Sequence, residues 1–221
     1  MRDVLIIRSS QDWEIGISAK NNHRAVKHPR LSEKLDFGKK WMGLGCSDAY
    51  FATILPIFKF LKETKENDPS TLWSSLEDKE DTIYVPILNA FKKELIRLVE
   101  TDSKVVPKNL VEFLIGNLDF YKIIRADDKV EIQGYNLHGT LNLPFQNQKP
   151  KAKISKLDFP TRLVEIVFLE DSKTTLMAYF NKGWTISFRL HNASSRVEPS
   201  LKFDINLVSA PYSLFTTQIL I

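Results

Sequence analysis

A single cysteine, Cys46, occurs in this chain of 221 residues, so an internal disulfide is impossible. A chain of this length does not need one, because it can bury a sizeable hydrophobic core. The sequence also lacks an apolar signal segment at its start, and no apolar run approaches the roughly 20 residues that span a bilayer. These absences exclude a disulfide-rich secreted domain and a helical membrane protein, and they predict a cytoplasmic protein.

Histidines are few as well, and their spacing argues against a zinc centre. His23 and His28 stand five residues apart, which is not the spacing of one helix face, and no cysteines are available to complete a site. His138 and His191 lie far away in the sequence. We therefore expect His23 and His28 to contact phosphate or solvent, and Cys46 to be a small buried residue.

Positive charge is in slight excess, with a formal net charge of +4 and a pI near 9.0. The distribution is more informative than the total, because residues 62–102 are net acidic while the first fifty residues and residues 149–202 are net basic. Two basic regions of this kind can flank a polyanion such as a nucleic acid.

The stretch 13–36 begins with the alternation of a strand and ends as a polar, mostly basic segment. A second apolar strand, Val4–Ile7, precedes it, and the short loop between them predicts a hairpin. Asp3 stands just before the strand Val4–Ile7, and Lys20 stands at the end of the strand that begins at Trp13. The strand face expected to enter the core carries Trp13, Ile15, Ile17 and Ala19.

A carboxylate and a lysine on paired strands suit the hydrolysis of a phosphodiester. That reaction needs a nucleophilic water and neutralisation of the charge that develops at phosphorus. Mg²⁺ held by one or two carboxylates lowers the pKa of a bound water and polarises a phosphoryl oxygen. Asp3, Lys20 and one further carboxylate therefore suffice for a metal-dependent nuclease.

Asp3 followed by Ser18-Ala19-Lys20 resembles a variant of the PD-(D/E)xK nuclease signature in which Ser18 replaces the usual acid. In such Ser-x-Lys variants the missing acid comes from the following helix, and Glu33 fits that place. The resemblance thus implies Asp3 and Glu33 as metal ligands, with Ser18 and Lys20 completing the catalytic set. Asp36 and Glu14 remain alternative second ligands.

Two longer motifs resemble the HaeIII family of type II restriction endonucleases. They are EIGISAKNNHRAVKHPRLSEKLDFGKKW near the start and SFRLHNASSRVEPSLKFDI at 187–205, and the resemblance covers nearly the whole chain. It implies double-stranded DNA as substrate, a short palindromic GGCC target, Mg²⁺, and a cognate DNA methyltransferase as a functional rather than physical partner. The oligomeric state stays open, with a homodimer as one arrangement.

The start of the chain carries a further expectation. Members of the family are longer at the N-terminus, whereas this sequence begins two residues before Asp3. We therefore expect a truncated chain with poor solubility and weak or absent cleavage. Two alternatives to an active nuclease are an inactive DNA-binding relic and a basic module that binds an acidic protein partner.

Side chains able to read or hold DNA concentrate in three places. Arginine pairs bidentately with guanine, and Glu198 can accept a hydrogen bond from cytosine, although the segment around it can equally be a simple turn between strands. The lysine-rich segment Gln146–Lys156 is either a solvated linker or a phosphate clamp. The residues predicted to bind DNA are Asn22, His23, Lys27, His28, Arg30, Lys151, Arg189, His191, Asn192, Arg196 and Lys202.

Periodicity predicts an α+β (mixed α/β) fold of the restriction-endonuclease kind, with helices beside a mixed sheet. Helices are expected at 29–37, 47–63, 85–101 and 107–116, and an antiparallel meander of five strands after Pro160. We expect a single domain over 1–221, in which 1–145 is catalytic, 146–156 is a basic loop and 157–221 recognises DNA.

Overall fold

The computed structural model describes residues 3–9, 13–21, 25–141 and 154–221. The chain divides into two compact units. Unit 1 consists of Met1–Arg24, Ile115–Phe159 and Ala210–Ile221, and unit 2 consists of Ala25–Leu114 and Pro160–Ser209. Each unit contains one β-sheet and unit 2 contains nearly all of the helices, which confirms the predicted α+β class.

Within the described residues, the main elements are eleven strands and four α-helices. The strands are β1 (Val4–Arg8), β2 (Trp13–Asn21), β3 (Ala25–Lys27), β4 (Arg30–Ser32), β5 (Phe120–Arg125), β6 (Lys129–Tyr135), β7 (Leu163–Phe168), β8 (Thr175–Phe180), β9 (Thr185–His191), β10 (Ser200–Ser209) and β11 (Phe215–Leu220). The helices are α1 (Phe37–Met42), α2 (Asp48–Asn67), α3 (Val85–Thr101) and α4 (Val105–Ile115).

The sheet of unit 1 has the strand order β1-β2-β5-β6-β11. The predicted hairpin is confirmed, because β1 and β2 pair antiparallel with Ile6 opposite Ile15. The next strand in this sheet, β5, pairs with β2 in parallel. A parallel neighbour cannot be reached by a tight turn, and the chain between β2 and β5 contains most of unit 2.

The buried face of β2 is opposite to the one expected. Gly16 and Ser18 are buried, whereas Ile15 and Ile17 are half-buried and Ala19 is exposed. The expectation that the Ile15–Ile17 face enters the core is therefore wrong. The same sheet face that carries Ser18 also carries a stacked aromatic pair on β5 and β6, Phe120 and Tyr135, with ring centroids 4.6 Å apart.

The sheet of unit 2 has the strand order β3-β10-β9-β8-β7, and β4 also pairs with β10. The predicted meander is confirmed for β7 to β10, because each of these strands pairs antiparallel with the next one along the chain. It is wrong for the fifth strand, since β11 leaves this sheet and pairs antiparallel with β6 in unit 1. Six residue pairs from Phe215 to Leu220 fill that edge of β6.

The helices of unit 2 pack around an aromatic core. The predictions for 47–63, 85–101 and 107–116 are confirmed by α2, α3 and α4. Phe91 of α3 is fully buried, and its ring centroid lies 5.3 Å from that of Phe188 and 5.0 Å from that of Phe203. None of the helices in the described ranges is long and apolar enough to cross a membrane.

The predicted helix at 29–37 is wrong, because the segment forms strand β4 and a turn before α1 begins. Leu31 stands opposite Leu201 of β10 and is fully buried, so pairing across the sheet outweighs the local helical pattern. Asp36 then caps α1 by accepting a hydrogen bond from the Lys39 N–H at 2.9 Å. The helix therefore begins at Phe37, where the prediction ended it.

Candidate active site

Asp3, Ser18 and Lys20 meet where β1 begins beside β2. The Asp3 N–H donates to the Ile17 carbonyl at 2.7 Å, which fixes the backbone of Asp3 in the hairpin. Its carboxylate Oδ2 accepts hydrogen bonds from the Ala19 N–H at 2.8 Å and from Ser18 Oγ at 3.2 Å. Lys20 Nζ lies 3.8 Å from the same oxygen. Three of the four predicted catalytic residues are thus neighbours.

The surroundings of Asp3 favour its ionised form. The Ala19 N–H is the main cause that holds the pKa of the Asp3 carboxyl below its usual range. Burial acts in the opposite direction, while the Lys20 charge and the Ser18 hydroxyl lower the pKa further. The carboxylate is therefore a permanent anion at neutral pH, and its side chain keeps access to solvent.

The donor set fits a hard divalent cation that takes most of its ligands from elsewhere. Mg²⁺ is commonly bound by one or two carboxylates, with water and substrate phosphate completing its octahedron. Asp3 supplies one such carboxylate. Among the residues that the structure describes, no group of three histidine, cysteine or acidic side chains is arranged to hold a metal.

Glu33, the predicted second ligand, lies in the turn after β4 in unit 2. It lines a groove of about 550 Å³, together with Lys34, Lys62, Lys65 and Glu66. The helix that was expected to carry it is absent. Its role as a metal ligand remains a prediction.

The two alternative ligands have other surroundings. The Asp36 carboxylate caps α1 and also accepts from the Cys46 N–H, with Oδ1 at 3.1 Å, so it organises the loop after that helix. Glu14 lies on β2, on the same face as Ser18 but four residues earlier, which is roughly 14 Å along the strand. The role of Glu14 as an alternative ligand remains a prediction.

Two buried charged residues on the sheet of unit 1 were missed by the sequence interpretation. Lys122 is 5% exposed and Glu131 is 7% exposed, and both lie on the face that carries Ser18. A signal for Lys122 existed, because it stands between Phe120 and Ile124 at alternate positions that are otherwise apolar and buried.

Five of the predicted DNA-binding residues lie on one face of the sheet in unit 2. Register places Lys202 opposite both Arg30 and His191, and it places Arg189 opposite Asp204. The Asp204 carboxylate lies 3.2 Å from Nδ1 of His28. We call this set the basic face, and its residues are His28, Arg30, Arg189, His191 and Lys202.

Three other residues that were predicted to bind DNA are not part of the basic face, and two of them make contacts within the protein. Lys27 Nζ donates to the Phe113 carbonyl at 2.5 Å and lies 3.5 Å from the centre of the Phe113 ring. The Asn192 amide donates to the Ser194 and Arg196 carbonyls and closes the turn after β9. Arg196 is exposed in that turn.

The remaining predicted contacts divide into two groups. Glu198 Oε2 lies 2.7 Å from Lys65 Nζ, so this carboxylate already has an ionic partner. Asn22, His23 and Lys151 lie outside the described residues, as does most of the lysine-rich segment 146–156. Their contribution to DNA binding stays a prediction.

Comparison with known proteins gives two matches. The sequence model of the HaeIII restriction endonuclease family matches residues 1–211. The type II restriction enzyme HaeIII of Haemophilus aegyptius is 47% identical over 216 residues, which cover 97% of this chain and 67% of that protein. No solved structure matches the chain.

Proposed function

Because the chain belongs to the HaeIII restriction endonuclease family, and is thereby a type II site-specific deoxyribonuclease, we propose that it cuts double-stranded DNA at GGCC with Mg²⁺ as its metal. Type II restriction endonucleases generally need a divalent metal ion. The observation that carries the proposed centre is the cluster of Asp3, Ser18 and Lys20 on paired strands.

Each residue of this cluster has a distinct task in the proposed reaction. A bound Mg²⁺ would lower the pKa of the attacking water and polarise the phosphoryl oxygen. Asp3 would hold the ion, with its carboxylate oriented by the Ala19 N–H and the Ser18 hydroxyl. Lys20 would stabilise the negative charge that develops on the phosphoryl oxygens. Glu33 is proposed as the second carboxylate because Ser18 stands where the signature usually has an acid.

We propose that the basic face contacts the DNA duplex. At neutral pH it presents Arg30, Arg189 and Lys202 as cations, with Asp204 as the one acid in register beside them. Arg189 is exposed on the central strand β9 and can reach a guanine edge, whereas Lys202 and Arg30 suit phosphate contacts.

Replacement of Arg189 by alanine should weaken binding to a GGCC duplex by roughly 1–3 kcal/mol, as expected for loss of a bidentate guanine contact. Binding to a duplex of random sequence should weaken much less. The matched control is Arg162→Ala, since Arg162 is also exposed but precedes β7, which lies at an edge of the sheet. Titrations of both duplexes at one salt concentration measure the difference, and equal losses on the two duplexes would make Arg189 a phosphate contact.

Two partners accompany this proposal. A palindromic site presents two equivalent strands, so two copies of the chain related by a two-fold axis would cut both. A cell that contains such an enzyme must also protect its own sites, and we propose a cognate DNA methyltransferase as the functional partner.

The direct test uses the purified chain and two plasmids that differ only in whether they contain GGCC. We expect discrete fragments that end at GGCC from the first plasmid in the presence of Mg²⁺, and no cleavage of the second. Chelation with EDTA should stop the reaction and added Mg²⁺ should restore it. Specific binding without cleavage would support a DNA-binding relic instead, and binding that ignores sequence would favour a basic module for acidic partners.

A further inference from the structure

The sheet face that carries the proposed cleavage centre continues across β5 and β6. Ser18 of β2 pairs in register with Lys122 of β5, and Lys122 pairs with Gln133 of β6. Glu131 stands two residues from Gln133 on β6, so it is diagonal to Lys122 on the same face. Two opposite charges therefore stand on adjacent strands beside Ser18.

Both of these charged side chains are buried. A buried ion is costly unless other groups compensate its charge, and apolar replacements of buried ion pairs are often at least as stable as the pair. Lys122 and Glu131 are 5% and 7% exposed. Stability alone therefore gives little reason for two such charges to occupy a sheet face.

The carboxylate of Glu131 is held in place by its own strand. Gln133 Nε2 donates to Glu131 Oε1 at 2.6 Å, and the Tyr135 hydroxyl donates to Gln133 Oε1 at 3.0 Å. Tyr135 is itself fixed by stacking on Phe120. This chain of hydrogen bonds fixes the position of the Glu131 carboxylate.

The two charges differ in their distance from Asp3. Neighbouring strands lie about 4.8 Å apart, so Lys122, two strands from Asp3, is roughly 10 Å away. Glu131 is three strands away and two residues further along, which is roughly 16 Å. The positive end of this buried pair is therefore nearer to the place where negative charge would develop on a phosphoryl group.

We propose that Lys122 and Glu131 form a fixed dipole that stabilises the transition state of cleavage from within the sheet. This proposal rests on the proposed function. Lys122 is the positive end of this dipole and Glu131 is its negative end. Ser18 makes this arrangement compatible with the site, because a carboxylate at that position would face Lys122 directly across the strands and neutralise its field. Preorganised charges of this kind cost no reorganisation during the reaction.

The test compares three variants of the full chain with the unmodified protein. They are Lys122→Met with Glu131→Gln, which removes both charges; Lys122→Glu with Glu131→Lys, which reverses the dipole; and Lys129→Met, a control on the same face at the start of β6. Single-turnover cleavage of bound GGCC duplex, duplex affinity without divalent metal, Mg²⁺ affinity of the protein alone, and thermal unfolding are measured for each.

We expect removal of both charges to slow cleavage roughly threefold, because at an effective dielectric constant near 20 the charge of Lys122 at about 10 Å is partly cancelled by that of Glu131 at about 16 Å. The reversed pair should fold and bind duplex normally but cleave more slowly still. Both variants should bind Mg²⁺ several-fold more tightly than the unmodified protein, because a cation near Asp3 is lost. The Lys129 control should change none of these values.

The proposal fails if the reversed pair restores the original cleavage rate, because the two residues then serve only the fold. If the reversed pair does not fold, the neutral pair decides, and an unchanged cleavage rate with unchanged Mg²⁺ affinity overturns the dipole. Failure of the proposed function is a separate result. In that case the unmodified protein does not cleave, while the Mg²⁺ titrations still decide whether Lys122 acts on the Asp3 site.

Discussion

Replacement of Asp3 by asparagine should lower the rate of DNA cleavage by at least roughly 1,000-fold, the upper range for loss of one preorganised electrostatic group. The asparagine side-chain oxygen can still accept from the Ala19 N–H, which donates to Asp3 Oδ2 at 2.8 Å, so the hairpin should keep its geometry. Only the anion is lost. Duplex affinity and thermal unfolding should therefore stay unchanged while single-turnover cleavage collapses.

The matched control is Asp128→Asn, because Asp128 is exposed in the turn between β5 and β6 of the same unit and should leave cleavage intact. Lys20→Met supplies a second arm, with an expected loss of roughly 100-fold and retained binding. If Asp3→Asn cleaves at a rate within tenfold of the original, the cleavage centre does not lie at the hairpin of β1 and β2.

The sequence predicted the part of the site whose residues lie close together along the chain. Asp3, Ser18 and Lys20 belong to one hairpin, so alternation and loop length alone bring them together. Lys122 and Glu131 reach the same face only through the parallel pairing of β2 with β5, about one hundred residues later in the chain. No periodic pattern in the sequence specifies which distant strand becomes a parallel neighbour.

The basic face likewise could be predicted from the sequence only in part. Sequence chemistry identified its residues individually, since arginine, lysine and histidine are the side chains that contact DNA. Their assembly depends on register, because β4 and β9 both pair with β10 and thereby bring Arg30 and His191 beside Lys202. The predicted helix at 29–37 obscured this arrangement, as it left Arg30 without a strand to join.

Removal of the Glu94 carboxylate should be the most destabilising single change outside the apolar core. Glu94 is 4% exposed on α3 and accepts hydrogen bonds from the Ser47 N–H at 2.8 Å, Ser47 Oγ at 2.7 Å and Arg97 Nη2 at 2.6 Å. Ser47 is also the N-cap of α2, so this carboxylate joins two helices. Glu94→Ala should lower the free energy of unfolding by about 3 kcal/mol at neutral pH, as expected when one partner of a buried charged network is removed.

The loss should depend on pH in a defined direction. Burial alone would raise the pKa of Glu94, but the hydrogen bonds from Arg97 and Ser47 outweigh it and hold the pKa below its ordinary value of 4.5. A carboxylate with a lowered pKa in the folded state stabilises the protein fully above its unfolded pKa, and this stabilisation is lost as the pH falls through the folded value. The difference in unfolding free energy between the original chain and Glu94→Ala should therefore be constant near neutrality and shrink below about pH 4.5.

Urea unfolding at several pH values measures this difference, with Glu100→Ala as the control because Glu100 is exposed on the same helix. Alanine is the strongest helix former, so neither substitution weakens α3 itself, and any loss specific to Glu94 comes from its contacts with Ser47 and Arg97. Equal stabilities of the two variants at neutral pH would mean that the Glu94 network does not hold α2 against α3. A difference that persists unchanged at acidic pH would mean that packing of the side chain, rather than its charge, provides the stabilisation.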